Sequence, residues 1–407
     1  MSENATPSMS KAEFIALIAM MFATIAFSID AMLPALPEIG EELSPSDINR
    51  AQLILTSFVL GMGVGTFFTG PLSDAFGRKP VIYAGATLYI ISSTVAWFAS
   101  SLELVLISRV LMGIGAAGPR VVALAIVRDL YSGREMARLM SIAMMIFTLV
   151  PAFAPMLGAG IIALAGWRGI FAAFVLFAII VVSWMGLRLP EPLAKENRRP
   201  FRLPLLLASV GEMFAHPTVR LSICVQTLCM GMLFTTLTMV QPIYDVIFDR
   251  AESFPFWFGF IALVSGSASL LNAALVVRVG MRRMVTWSLA AQIFFSGSML
   301  VLENMTLSLN MAFALFVFWQ TTIFFIAGTT LGNLNAMAME PMGHIAGMAA
   351  SVIGAIATVL AAVIAAPIGL LFDGSLLPVT LGVLTMSCAG LLLMLHMAKV
   401  EARLPAE

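Results

Sequence analysis

The sequence predicts an all-α polytopic membrane protein, with twelve transmembrane helices in two pseudo-symmetric six-helix bundles. Three observations lead there. Apolar residues make up 60% of the 407-residue chain and charged residues 11%, against roughly 25% charged in a soluble domain. The apolar residues fall into twelve runs, each close to the ~20 residues a helix needs to cross a hydrocarbon core of ~30 Å. A longer polar stretch divides those runs six and six.

The runs occupy residues 13–35, 50–72, 80–99, 103–127, 137–163, 168–189, 217–243, 255–278, 283–302, 307–333, 347–371 and 376–398. None shows the alternation of a barrel strand, and lipid leaves open backbone groups unsatisfied, so helices are the spanning form. The first run contains Asp30, Pro34 and Pro37, unlike the short uninterrupted core of a signal peptide, and is read as a span. Residues 190–216, with Lys195, Arg198, Arg199 and Arg202, form the domain linker between an N-terminal bundle, 1–189, and a C-terminal bundle, 217–407. A short repeat crosses it: Gly77-Arg78-Lys79 after the second span is echoed by Gly280-Met281-Arg282-Arg283 after the eighth.

Net charge is zero, so no basic field for nucleic acid exists. Lys and Arg collect in alternate loops: Arg78 and Lys79, then Arg128, Arg134 and Arg138, then the linker, then Arg278, Arg282 and Arg283. The opposite loops hold only Arg50, Arg168 and Arg250. Since positive loops stay in the cytoplasm, both termini are expected there. Cys224, Cys229 and Cys388 lie inside apolar runs and are odd in number, which argues against a disulfide framework. No metal-ligand cluster and no Walker-type Gly-x-x-x-x-Gly-Lys-Ser/Thr occurs. Neither a metal, a cofactor nor direct use of ATP is expected.

The segment Gly70-Pro71-Leu72-Ser73-Asp74-Ala75-Phe76-Gly77-Arg78-Lys79-Pro80 is similar to the loop signature G-x-L-a-D-r-x-G-R-K/R of the major facilitator superfamily, departing from it at Ala75. Within that superfamily the chain resembles the drug/proton antiporters of the bicyclomycin and chloramphenicol/florfenicol exporter group. The residues that carry this are Asp30-Ala31-Met32-Leu33-Pro34-Ala35-Leu36-Pro37 in the first span, Arg128-Asp129 after the fourth, Pro151-Ala152-Phe153-Ala154-Pro155-Met156-Leu157-Gly158 in the fifth, and Gly166-Trp167-Arg168 opening the sixth. Arg109-Val110-Leu111-Met112-Gly113 is similar to the antiporter signature R-x-x-Q-G, with Met112 in place of glutamine. The resemblance implies a gating role for Gly70, Asp74, Gly77 and Arg78, with Asp74 a latch toward the start of the eleventh span. It also implies a kinked fifth helix at Pro151, Pro155 and Gly158. Val277 stands where the second half would carry its counterpart of Asp74.

A charge in mid-bilayer costs several kcal/mol, roughly +2.5–3.5 on insertion scales, so it is paired or faces a cavity, and it serves function. Asp30, Arg109 and Arg120 are the interior charges here. Asp30 and Arg109 each sit about six residues, or ~9 Å, outward of their span centres. An Asp30–Arg109 pair is therefore expected as the proton or substrate site, with a purely structural ion pair as the alternative. Loss of water favours the neutral acid and a nearby guanidinium favours the carboxylate, so an aspartate alternating between the two states carries a proton. A cationic substrate would compete for it. Arg120, ~17 Å further along the helix, has no acid at its own depth and is left between an anionic substrate group and a backbone carbonyl. In the second half the polar candidates Gln226, Asn272, Gln292, Gln320 and Asn333 are expected mainly in interhelical hydrogen bonds. Gly61 and Gly65, and the series Gly347, Ala350, Gly354, Ala357, Ala361 and Ala365, are expected to bring helices into close contact.

The expected function is proton-coupled export of drugs or other amphipathic small molecules by a secondary transporter. Its partners are the substrate, protons and the lipid bilayer, its location is the bacterial inner membrane, and its state is monomeric. A proton-coupled exporter of amino acids or nucleosides is the alternative on the same scaffold. A membrane receptor or enzyme is the remote one.

Overall fold

A computed structural model of the protein describes residues 9–402. Its helices are α1 (Lys11–Asp30), α2 (Leu36–Leu43), α3 (Leu53–Phe76), α4 (Arg78–Trp97), α5 (Leu102–Leu130), α6 (Gly133–Ala165), α7 (Arg168–Arg188), α8 (Leu203–Ala215), α9 (Pro217–Pro242), α10 (Phe254–Val279), α11 (Met281–Glu303), α12 (Leu309–Met339), α13 (Ala346–Leu370) and α14 (Leu377–Glu401). Among the described residues, twelve helical spans are long and apolar enough to cross a membrane. The first joins α1 to α2 across a break, and the seventh continues α9 through a single π-turn, Ile243–Ile247, that follows Pro242. The fold is the expected twelve-helix one.

Local sequence sets the helix ends. Ser10, Ser101 and Ser308 are N-caps whose hydroxyls accept from Glu13, Leu104 and Met311 N–H at 3.2, 3.4 and 3.4 Å. Each satisfies one of the donors left open in a first turn. Ser101 and Ser308 open the fourth and tenth spans, which are equivalent positions of the two halves. Gly77 and Gly280, before the third and ninth spans, both have φ in the left-handed region, +104° and +88°, where only glycine sits without strain. The short repeat noticed in the sequence is thus a shared backbone turn.

The chain divides into two units, one of residues up to Pro45 with Ser57–Leu203, the other of Ser46–Thr56 with Pro204–Glu407. In the first unit α1 packs on α5 and α6, and α4 packs on α5 and α7. In the second, α9 packs on α12 and α13, and α11 packs on α12 and α14. Shifting by six spans turns one set of neighbours into the other, which is the pseudo-symmetry the polar division implied.

Three expectations are corrected. Asp74 does not lie in a loop beyond a span ending at residue 72: α3 runs on to Phe76, leaving Gly77 as the turn. The 190–216 stretch is not plain linker, since it contains α8, whose run Leu203-Pro204-Leu205-Leu206-Leu207 is apolar but, at 13 residues, too short to span. Gly354 is not a packing glycine either, because a Cβ there meets nothing within 4 Å. The neighbouring Ala357, Ala361 and Ala365 are fully buried. The expected contact face of α13 therefore holds at the alanines and not at Gly354.

Candidate functional site

Asp30 is the last residue of α1. Pro34 and Pro37 lack the N–H groups that would bond the carbonyls of Asp30 and Leu33, and α1 ends at Asp30. The chain crosses the gap with Met32 N–H to Ile29 O at 3.3 Å and Ala35 N–H to Met32 O at 3.0 Å, and resumes as α2. The D-x-x-L-P-A-x-P run therefore places an acid at a helix break, 5% exposed. Gly158 of α6 lies against this break: a Cβ there would come well inside van der Waals contact distance of the Ala31 carbonyl oxygen. α6 itself is continuous through Pro151 and Pro155.

Arg109 is brought to the same level. Its helix α5 is in backbone contact with α3, because a Cβ on Gly61 or Gly113 would collide with the Val110 or Phe58 carbonyl oxygen, respectively. The side chain is 0% exposed. Its guanidinium donates to the Ser28 carbonyl at 2.9 Å and lies 4.4 Å over the Phe58 ring and 5.9 Å from that of Phe174, where the ring faces attract a cation. Ser28 Oγ reaches Thr24 O at 2.5 Å and Tyr89 OH at 2.6 Å. Arg109 is thus held two residues from Asp30 along α1, but among the described residues no ion pair joins the two carboxylate and guanidinium groups. The expected shared depth is found, and the expected direct pair is replaced by a carbonyl and aromatic faces. Sequence reading missed Ser28, Tyr89, Phe58 and Phe174. Tyr89, one of four tyrosines in the chain and mid-span, was the available signal.

Arg120 stands apart from this cluster. Its side chain is exposed on a face it shares with Leu124 and Arg128, at four-residue spacing. In the second half, Asn272 and Asn333 exchange amide hydrogen bonds at 2.7 and 3.4 Å. Gln292 donates to Ser296 Oγ at 3.1 Å and accepts from Thr322 at 3.2 Å, and Tyr244 OH donates to Gln320 at 3.1 Å. The Asn272–Asn333, Thr322–Gln292 and Tyr244–Gln320 bonds join separate elements, as expected; the Gln292–Ser296 bond stays within α11, and the Gln226 side-chain oxygen, expected in such a bond, has no partner among the described residues.

The segment expected to gate has partners that the sequence did not reveal. Arg78 is 3% exposed. Its Nη1 donates to Ser73 Oγ at 2.7 Å and Asp74 Oδ1 at 2.6 Å, and its Nε to Asp129 Oδ2 at 2.7 Å. The Glu191 carboxylate accepts from the N–H groups of Arg78 and Lys79 at 2.8 and 2.9 Å, satisfying the first turn of α4. A Cβ at Gly77 would press on Arg198 and Glu191. Lys79 Nζ donates to the carbonyls of Gly186 and Leu189 at 3.0 and 2.7 Å, closing the end of α7. Arg78, read as a topology marker and a gate residue, is the buried hub of this network, and Lys79, read as a topology marker, joins it half-buried.

The family described as Major Facilitator Superfamily matches residues 16–367. A bicyclomycin resistance protein homolog of Haemophilus influenzae is 30% identical over 329 residues, 80% of each chain. Multidrug resistance protein MdtL of Escherichia fergusonii is 28% identical over 315 residues, 76% of each chain. Among solved structures, a D-xylose-proton symporter superposes with a TM-score of 0.74 at 14% identity, covering 95% of this chain and 97% of that one.

Proposed function

The chain belongs to the major facilitator superfamily, and from that premise we propose that it is a proton-coupled exporter of amphipathic small molecules, drugs among them. It is a multi-pass transporter and not an enzyme. In this reading it works as a monomer in the bacterial inner membrane with both termini cytoplasmic, draws on the proton motive force and needs no cofactor. Similarity to a bicyclomycin resistance protein homolog and to a multidrug resistance protein supports the substrate class.

The observation that carries the coupling is Asp30, an acid 5% exposed at the helix break of the first span. A carboxyl group removed from water is costly to charge unless something compensates. Here the compensating cation, Arg109, is nearby but engaged with the Ser28 carbonyl. Small rearrangement of the break would change the distance between the two charges and so the tendency of Asp30 to hold its proton. Asp30 takes a proton in one state of the cycle and releases it in the other, and a cationic or polar substrate group competes for the same carboxylate.

Reconstituted vesicles under an imposed pH gradient test this with a panel of amphipathic drugs, amino acids and nucleosides. Wild type is expected to accumulate amphipathic compounds against their gradient. Asp30→Asn keeps the shape of the site and removes its titration, so it should lose gradient-driven accumulation while neutral-compound counterflow persists. Proton-driven accumulation by Asp30→Asn at wild-type rates would end the assignment. Accumulation of an amino acid or nucleoside alone would reassign the substrate.

A further inference from the structure

The first turn of a helix leaves N–H groups without intrahelical acceptors, and together with the helix dipole these favour an anion. In the first half that anion is built in: Glu191 spans the N–H groups of Arg78 and Lys79 at the start of α4. The equivalent helix of the second half, α11, begins after the same left-handed glycine, Gly280. A cavity of about 600 Å³ opens there, and His216, Thr218, Gly280, Arg282, Arg283 and Glu340 line it. Two helices start at this cavity, α9 after His216 and α11 after Gly280, and neither N-cap residue supplies a side-chain acceptor. Thr218, in the first turn of α9, is only 9% exposed, and among the described residues its hydroxyl makes no hydrogen bond. The carboxylate of Glu340, at the C-terminal end of α12, is the one acidic side chain lining the cavity among the described residues.

We propose that this cavity binds a phosphoryl oxyanion, which occupies in the second half the place that the Glu191 carboxylate occupies in the first. The amide groups at the start of α11, the Thr218 hydroxyl and the guanidinium groups of Arg282 and Arg283 supply the donors. Several donors around a concave space of this size suit a phosphoryl group with three acceptor oxygens better than a carboxylate with two. The dipoles of two helix N-termini favour an anion there. The same chemistry is offered by a phospholipid headgroup and by soluble phosphate.

Thermal unfolding of the purified full chain in neutral detergent separates the sources, with inorganic phosphate in one arm and phosphatidylglycerol mixed micelles, against phosphatidylcholine, in the other. Stabilisation by phosphate alone assigns a soluble anion, and stabilisation by phosphatidylglycerol over phosphatidylcholine assigns a lipid. Loss of charge-assisted hydrogen bonds in the Arg282→Gln, Arg283→Gln double variant should weaken the response by ~10-fold or more. Glu340→Gln removes the repelling charge and should strengthen it several-fold, a gain that misfolding cannot produce. Thr218→Val should weaken it and serves where the double variant does not fold. A wild type that responds to neither probe, or a Glu340→Gln protein that binds no more tightly than wild type, overturns the proposal.

Discussion

Arg78 holds two carboxylates, and their surroundings give them different worth. Asp129 is 17% exposed and receives the Nε hydrogen bond, whereas Asp74 is 45% exposed on the other side of the guanidinium. Removing one partner of a buried charge network costs ~3–5 kcal/mol, while exposed pairs contribute ~0–1 kcal/mol. Asp129→Asn is therefore expected to lower thermal stability markedly and Asp74→Asn to change it little. Asp74→Asn should instead slow transport, with substrate affinity close to wild type, because its exposed carboxylate is the part of the network available to a gate. Unfolding curves and vesicle turnover on the two variants check this together; equal destabilisation would contradict the ranking, and undiminished turnover of Asp74→Asn would remove the gate. The same logic of burial applies to Arg109, whose guanidinium meets the Ser28 carbonyl and two ring faces.

Between elements, contact is decided by where backbones approach each other. α6 meets the break after α1 at Gly158, where any side chain collides with the Ala31 carbonyl, so Gly158→Val must push the helix away from the acid it supports. Overpacking of this kind costs ~1–3 kcal/mol, and the variant should lose both stability and transport. Gly354→Leu, on a helix of similar composition, meets open space at its Cβ and should be tolerated. Expression level, unfolding temperature and transport of the two variants are the readout. A destabilised Gly354→Leu beside a normal Gly158→Val would reverse the assignment of contact faces.

For the molecule as a whole, the proposed orientation, with both termini cytoplasmic, rests on the twelve spans among the described residues and on the positive loops. With the three native cysteines replaced, a cysteine at Lys195 should resist a membrane-impermeant thiol reagent applied to right-side-out vesicles. One at Glu252, in the loop between α9 and α10, should react. The opposite labelling would invert the topology and with it the direction of transport. The repeated neighbour pattern of the two units is the architecture expected of a transporter whose halves rock about a central substrate site.

Composition and run length determined the class, the span number and the division into halves, because the bilayer imposes a length and a polarity that a one-dimensional reading can measure. Asp30, Arg109 and the Gly77–Arg78 turn were legible for a related reason: charge inside an apolar run and glycine before a helix are anomalies in the sequence itself. The tertiary structure alone decided who meets them. Ser28, Phe58, Tyr89 and Phe174 around Arg109, and Asp129 and Glu191 around Arg78, come from helices far apart in sequence. Whether Gly158 or Gly354 lies in a contact depends on helix rotation and crossing, which small residues permit but do not specify. Periodicity records which face of a helix is apolar; only packing in three dimensions sets which neighbour covers it.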